Sequence, residues 1–230
     1  MHKLIEGVNK FYREAYPKHR GLFARLARNQ EPSALFITCS DSRVVPNLFL
    51  QADPGELFLI RNAGNIVPPK GSTEGGTIAS IEYAVVALGV RDVVICGHSD
   101  CGAMKGILHP EKVAHMPVVA KWVEHARGAR EAVHREFPDL DDNTVAELLV
   151  DYNVIAQVRN LLTYDFIRER VEAGKLEIYG WTYDIRTGMI RGMDESGRHM
   201  IPLDFEGKGS PDEKSLLKTL ENDEEFWSRI

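Results

Sequence analysis

The sequence contains few cysteines, no long apolar run and no block of basic residues. Three of its 230 residues are cysteine, and this odd number argues against a disulfide scaffold and for reduced thiols, catalysis or metal ligation. Charged residues or glycines interrupt every apolar run, so we expect no membrane-spanning helix. The opening residues, MHKLIEGVNKFYREAY, lack the continuous apolar segment of a secretory signal. We therefore expect a cytoplasmic protein.

The charge balance argues against nucleic acid as a partner. The formal net charge is −6, and basic and acidic residues are mixed along the chain. Binding to nucleic-acid phosphates needs clustered lysine and arginine, which this chain lacks. The length suits one folded unit, so we predict a single domain over residues 1–206 and a polar, acidic tail over residues 207–230.

Short apolar runs predict an α/β fold with a central, mostly parallel β-sheet flanked by helices. Three of these runs lack polar alternation, as expected of strands that are buried on both faces, and they cover residues 34–38, 57–61 and 92–96. Later extended segments are predicted in KLEIYGWTYDI, MIRGMD and RHMIPLDF. Strands and helices in this order are typical of the α/β class.

Helical spacing of apolar residues predicts the helices around this sheet. The segment GGTIASIEYAVVALGV ends near Gly89 and connects the second and third strands by a right-handed crossover. Helices are also predicted over residues 118–136 and 144–173, the second of them kinked or split. An amphipathic helix runs from Leu4 to Ala15, and its apolar face covers either its own core or that of a partner subunit.

Two cysteines and a histidine follow the predicted strands in a pattern that indicates a metal site. Cys39 follows the first strand directly, His98 follows the third, and Cys101 comes three residues later. Ligands in open α/β sheets lie at the carboxyl ends of strands, so these side chains should meet. A Cys–His–Cys set favours tetrahedral Zn²⁺ with one open position, as in catalytic sites. The alternative is three unrelated core residues, and we assign Cys96, inside a strand, to the core.

Asp41 and Arg43 alternate with Cys39 and therefore share one face of an extended segment. Taken alone, such a pair is incidental, because surface ion pairs contribute little to stability. Beside an open zinc position, Arg43 can hold Asp41 by a bidentate contact. Asp41 is then placed to accept a hydrogen bond from metal-bound hydroxide. Alternatively, its carboxylate fills the fourth position on the metal itself.

The motifs CSDSR, RNAGNIVPP and CGHSDCGAM together resemble those of the β-class carbonic anhydrases. The resemblance runs from about residue 1 to about residue 205 and leaves out the acidic tail. It implies zinc on Cys39, His98 and Cys101, with Asp41 and Arg43 as the catalytic pair. It also implies a homodimer, often assembled into tetramers. The implied reaction is the reversible hydration of carbon dioxide to bicarbonate and a proton, in which zinc-bound hydroxide attacks the carbon.

The same resemblance implies residues that bind the substrate. Gln30 matches a glutamine that holds bicarbonate, and Gly102 offers a backbone N–H at a helix start. Phe58, Ala63 and Tyr83 match positions that line a small apolar pocket, some of them across the dimer interface. The pattern alone fits ordinary core packing equally well for Phe58 and Ala63, and Tyr83 is similarly ambiguous.

Some bacterial members of the family close the site by moving the aspartate onto zinc while a tryptophan, an arginine and a tyrosine hold bicarbonate elsewhere. Arg61 and Tyr183 match two of these positions, but Phe36 stands at the place of the tryptophan. Phenylalanine has no N–H to donate. The resemblance therefore predicts an open site in this chain, with Asp41 paired to Arg43.

Two other functions remain open at this point. The first is hydrolysis of a related heterocumulene, carbon disulfide or carbonyl sulfide, because the sequence does not reveal the size of the pocket. The second is a non-catalytic assembly protein that zinc stabilises. The Asp41–Arg43 pair disfavours the second, since a structural metal site needs no such pair.

Overall fold

A six-stranded sheet with the order β2-β1-β3-β4-β5-β6 forms the centre of the computed structural model, which describes residues 1–73 and 75–203. Its strands are β1 Ala34–Cys39, β2 Leu57–Asn62, β3 Asp92–His98, β4 Glu177–Tyr183, β5 Ile190–Met193 and β6 Met200–Pro202. The first four strands in that order are parallel to one another, whereas β5 is antiparallel to β4 and β6 is antiparallel to β5. The prediction of a mostly parallel α/β sheet is confirmed, while the predicted acidic tail lies outside the described residues.

Helices flank this sheet in the predicted segments and also in two segments that were not predicted, Arg20–Leu26 and Pro46–Phe49. They are α1 His2–Lys10, α2 Arg20–Leu26, α3 Pro46–Phe49, α4 Gly76–Glu82, α5 Gly102–Leu108, α6 Pro117–Val123, α7 Arg127–Glu136, α8 Asp142–Leu162 and α9 Asp165–Glu172. The region predicted to be kinked or split is split between α8 and α9. Within the described ranges, no helix is long and apolar enough to cross a membrane.

The N-terminal segment is helical, as predicted, but irregular. A π-helical turn at Phe11–Ala15 and a 3₁₀ turn at Tyr16–His19 separate α1 from α2. Its large apolar side chains are exposed by 46–71%, and they are Leu4, Ile5, Val8, Phe11 and Tyr12. The described part of this chain therefore leaves that apolar face uncovered.

The long helix α8 packs closely on the strands that position the candidate site. A Cβ atom on Gly97 would come within 2.8 Å of a Val154 methyl group, and one on Gly180 within 2.9 Å of the other. Only glycine at these two positions lets the helix backbone approach the sheet this closely. The Asp141 side chain caps the start of α8 by accepting from two backbone N–H groups.

Cys96 lies in the core, as predicted from its place within a strand. Its side chain is fully buried and packs in a cluster with Phe36 and Val94. Burial raises the pKa of the Cys96 thiol to about 12, because a thiolate there would lose its hydration.

Candidate metal centre and active site

The parallel strands β1 and β3 bring the predicted ligands to one edge of the sheet. β1 ends at Cys39, β3 ends at His98, and the two strands are neighbours in the sheet. Ser99 and Asp100 then turn the chain into Cys101, which directly precedes α5. Asp100 adopts the left-handed backbone conformation, with φ of +60°, which aspartate tolerates better than most residues.

The two sulfur atoms and a ring nitrogen of His98 all lie within 4.8 Å of one another. The Sγ atoms of Cys39 and Cys101 are 4.0 Å apart, close to the roughly 3.8 Å expected for two thiolates on tetrahedral zinc. His98 Nδ1 donates to the Ser99 carbonyl at 2.9 Å, which leaves the lone pair on Nε2. This Nε2 atom is buried and has no hydrogen-bond partner among the described residues, as expected of a metal ligand.

The pKa shifts of the two cysteine thiols also favour a bound cation at this site. The neighbouring Cys101 thiol lowers the pKa of the Cys39 thiol to about 4. The same contact, together with burial, raises the pKa of the Cys101 thiol well above its usual value. The pair therefore gives up one proton readily and keeps the second. A divalent cation compensates the second negative charge, so this donor set fits a bound Zn²⁺.

A loop after β2 supports the Cys39 sulfur. The Gly64 N–H donates to Cys39 Sγ at 3.4 Å. Gly64 has a φ of +82°, and a Cβ atom there would come within 2.9 Å of Ala103, so the position needs glycine. Trp122 donates to the Ala63 carbonyl at 2.8 Å, and Asn153 donates to the Gly64 carbonyl at 3.0 Å. Residues from two distant helices thus hold this donor in place.

Asp41 and Arg43 make the bidentate contact that was expected of them. Arg43 Nε donates to Asp41 Oδ1 at 3.0 Å, and Nη2 donates to Oδ2 at 2.8 Å. These hydrogen bonds hold the pKa of the Asp41 carboxyl well below its usual range. Asp41 Oδ2 lies 3.9 Å from His98 Nε2, so an ionised acceptor faces the ligand set.

Two further charged residues adjoin this pair, and sequence reasoning missed both. Arg43 Nη1 donates to Asp100 Oδ2 at 2.8 Å, and Lys105 of α5 pairs with the other oxygen of the same carboxylate. The available signal was the position of Asp100 directly before the candidate ligand Cys101.

Known proteins match this chain over most of its length. A family model described as carbonic anhydrase matches residues 34–190. A carbonic anhydrase of Synechococcus elongatus is 45% identical over 223 residues, which cover 94% of this chain and 81% of that protein. One of Pseudomonas aeruginosa is 48% identical over 203 residues, which cover 88% of this chain and 92% of that protein.

Solved structures give the class within this family. The β-carbonic anhydrase CcaA superposes with a TM-score of 0.85 at 42% identity, covering 88% of this chain and 98% of that one. The chain belongs to the β-class carbonic anhydrases. A second β-class structure, described as one of two tetrameric enzymes from Sordaria macrospora, superposes with a TM-score of 0.76 at 32% identity, covering 84% of this chain and 95% of that one.

The residues matched to the substrate pocket of this family fall into two groups. Ala63 directly precedes Gly64, and Gly102 is the exposed first residue of α5, so both adjoin the ligand set. Phe58 and Tyr83 instead pack together, with ring centroids 6.2 Å apart. Phe58 lies four residues before the end of β2, about 13 Å from the edge that carries the ligands.

Gln30 is exposed in the segment before β1. Its side chain makes no hydrogen bond to another residue in the described ranges. Among the described residues, no hydrogen bond joins Gln30 to the ligand set, and Phe58 packs against a core cluster that does not include Cys39 or Cys101.

The residues at the positions predicted to match the family's second bicarbonate pocket make other contacts in this structure. Phe36 is 1% exposed and packs on Phe49 and Trp181, with ring centroids 6.1 Å away in each case. Tyr183 stacks on Phe49 at 4.7 Å. Arg61 donates to the backbone carbonyls of Cys39 and Asp41, at 2.9 and 2.6 Å from Nη2. Arg61 therefore braces the turn that carries Cys39 and Asp41.

Proposed function

We propose that this protein catalyses the reversible hydration of carbon dioxide to bicarbonate and a proton, with Zn²⁺ held by Cys39, His98 and Cys101. The observation that carries the proposal is the buried Cys–His–Cys set, in which Nε2 of His98 is left without a partner among the described residues. Membership of the carbonic anhydrase family supplies the substrate. The enzyme is accordingly a zinc lyase, and we place it in the cytoplasm.

Zinc held at this site supplies a nucleophile, because it lowers the pKa of a bound water toward neutrality. Asp41 accepts the hydrogen bond of the attacking hydroxyl group and directs its lone pair at the carbon of CO2. Since Arg43 keeps the pKa of Asp41 low, this carboxylate orients the nucleophile and is a poor proton acceptor. Arg43 holds Asp41 in that orientation through two parallel hydrogen bonds.

The assembly that we propose is a homodimer, alone or paired into a tetramer. Gln30, Phe58 and Tyr83 then belong to the pocket of the partner subunit, because within one chain Phe58 lies far from the ligands. Ala63 and Gly102 line the pocket of their own subunit. The uncovered apolar face of α1 supports such an interface. The folded unit in this assembly is residues 1–206.

Stopped-flow measurement of CO2 hydration with a pH indicator tests this function. The zinc-loaded protein should hydrate CO2 far above the uncatalysed rate, lose that activity to a chelator and regain it with Zn²⁺. Release of sulfide from carbonyl sulfide, assayed in parallel, separates the competing hydrolase function. Protein with one zinc per chain and no CO2 hydration would contradict the proposal.

We expect kcat/KM for CO2 hydration to rise from neutral to alkaline pH. Two thiolates neutralise the formal charge of Zn²⁺, so its water should ionise above the roughly pH 7 of a site with three neutral histidines. Asp41 does not contribute to this rise, because its pKa lies far below the range. A pH–rate profile provides the check, and a plateau already reached below neutrality would disagree.

We also expect bicarbonate to inhibit without cooperativity. Phe36 offers no N–H, and Arg61 already donates to backbone carbonyls, so the second bicarbonate pocket of the family has lost donors here. A ligand shifts a conformational equilibrium only through its differential affinity for the two states, so Asp41 should stay on Arg43.

Initial rates of CO2 hydration at increasing bicarbonate concentration measure whether the inhibition is cooperative. Trp181→Phe, which removes the indole packed on Phe36, serves as the control and should leave the inhibition unchanged. Sigmoidal inhibition, or a crystal at mildly alkaline pH with an Asp41 oxygen at zinc-bonding distance, would show that the site closes.

A further inference from the structure

All three nitrogens of the Arg43 guanidinium are engaged at the edge of the candidate active site. Nε and Nη2 donate to the two Asp41 oxygens, whereas Nη1 donates to Asp100 Oδ2 at 2.8 Å. Nη2 also reaches the Asp100 backbone carbonyl at 3.2 Å. Lys105 occupies the remaining Asp100 oxygen. Four charged side chains of alternating sign therefore join the turn after β1 to the turn after β3.

Arg43 is poorly enclosed by the rest of the protein, and a second carboxylate contacts it. The Arg43 side chain is 44% exposed, and an isolated exposed ion pair contributes little to stability and fixes little geometry. Asp41 contacts one edge of the guanidinium group, and a carboxylate on the opposite edge restrains its rotation from the other side.

The position of Asp100 is itself closely fixed. It lies between the ligands His98 and Cys101, and its left-handed backbone conformation belongs to the turn that joins them. The turn that places these two residues therefore also places the backbone of Asp100. Lys105, the fourth residue of α5, pairs with the Asp100 oxygen that Arg43 Nη1 does not contact.

We propose that Asp100 is a positioning residue, which acts with Lys105 to fix Arg43 and thereby the orientation of Asp41. This inference rests on the proposed function, since it concerns a residue that orients the nucleophile. Asp41 Oδ2 lies only 3.9 Å from His98 Nε2, so a small rotation changes how it faces the ligand set. Without Asp100, the Arg43 side chain is free to turn, and Asp41 turns with it.

The substitution Asp100→Asn tests this role with little change in shape, and asparagine tolerates the left-handed conformation. We expect kcat for CO2 hydration to fall roughly tenfold, as for other residues that orient groups in a metal site. KM and zinc content per chain should not change. Lys105→Gln should lower kcat by less, and Lys105→Arg should restore it, because arginine also pairs with Asp100.

Asp165→Asn is the matched control. Asp165 also bridges two cations, Lys70 and Arg168, and its side chain is exposed to the same degree, 51% against 52% for Asp100. It lies at the start of α9 and is not one of the residues of the candidate site. We expect this variant to keep the kcat of the unmodified protein.

A second measurement does not depend on activity. In a ¹⁵N–¹H spectrum of the zinc-loaded protein, the Arg43 Nε–H signal, assigned by its loss in Arg43→Lys, should exchange slowly with water. It should exchange faster in Asp100→Asn and remain unchanged in Asp165→Asn. If the unmodified protein fails to hydrate CO2, the proposed function fails, but this signal still decides whether Asp100 holds Arg43.

The outcomes separate a positioning role from a purely structural one. A loss of kcat with full zinc content and a mobile Arg43 supports the proposal. A loss of kcat that follows a loss of zinc, an unchanged kcat, or an Arg43 signal that does not respond to Asp100→Asn overturns it. Lys105→Gln keeps the test decisive if Asp100→Asn does not fold.

Discussion

Replacing Cys101 by serine is expected to remove most of the zinc and to abolish CO2 hydration. A serine hydroxyl does not ionise near neutral pH, so the site would lose one of its two thiolates. Cys101 is 3% exposed, and its sulfur lies 4.0 Å from that of Cys39, so it lies within the candidate ligand set. Loss of a direct ligand should weaken zinc binding by more than the roughly 100-fold that loss of a supporting residue costs.

Zinc content by atomic absorption and stopped-flow rates on the same samples provide the measurement. Cys96→Ser is the control, because this thiol is buried beside Phe36 and Val94 and lies outside the Cys39–His98–Cys101 group. It should keep zinc and activity, at some cost in stability, since a hydroxyl replaces a packed sulfur. Full zinc occupancy in the Cys101→Ser protein would remove the ligand assignment.

Deleting residues 1–28 is expected to give aggregated or inactive protein. The deleted segment carries the exposed side chains of Leu4, Val8 and Phe11, together with an aromatic cluster in which Phe23 stacks on Tyr16 at 5.4 Å. We propose that this face packs on the partner subunit, where each large apolar side chain would contribute about 1.5–3 kcal/mol on burial. Its removal would leave both the partner surface and the shared pocket incomplete.

Size-exclusion chromatography with light scattering measures the oligomeric state of the truncated protein. Two point variants of the full chain refine the test, because Val8 and Lys10 lie about 160° apart on the α1 helix. Val8→Gln should weaken the dimer, and Lys10→Gln should not. A soluble, fully active monomer from the truncation would refute the interface.

Local pattern was sufficient to predict the elements that carry the ligands. The apolar runs at residues 34–38 and 92–96 indicated buried strands, because a strand covered on both faces shows no polar alternation. Once two parallel strands are assigned, their carboxyl ends meet at one edge, so Cys39 and His98 follow from the sequence alone. The Asp41–Arg43 contact is similarly local, since it spans two residues.

Tertiary structure decided the contacts that join distant segments. The Asp100 carboxylate reaches Arg43 across 57 residues of sequence, and Asn153 reaches Gly64 across 89. Neither contact follows from local periodicity, because each depends on the order of the strands and on where α8 crosses them. The distance between Phe58 and the sheet edge that carries the candidate ligands also depends on tertiary structure, because the register between β1 and β2 sets it. The sequence by itself thus predicted the candidate ligands and the Asp41–Arg43 contact, whereas packing determined the contacts that hold them in place.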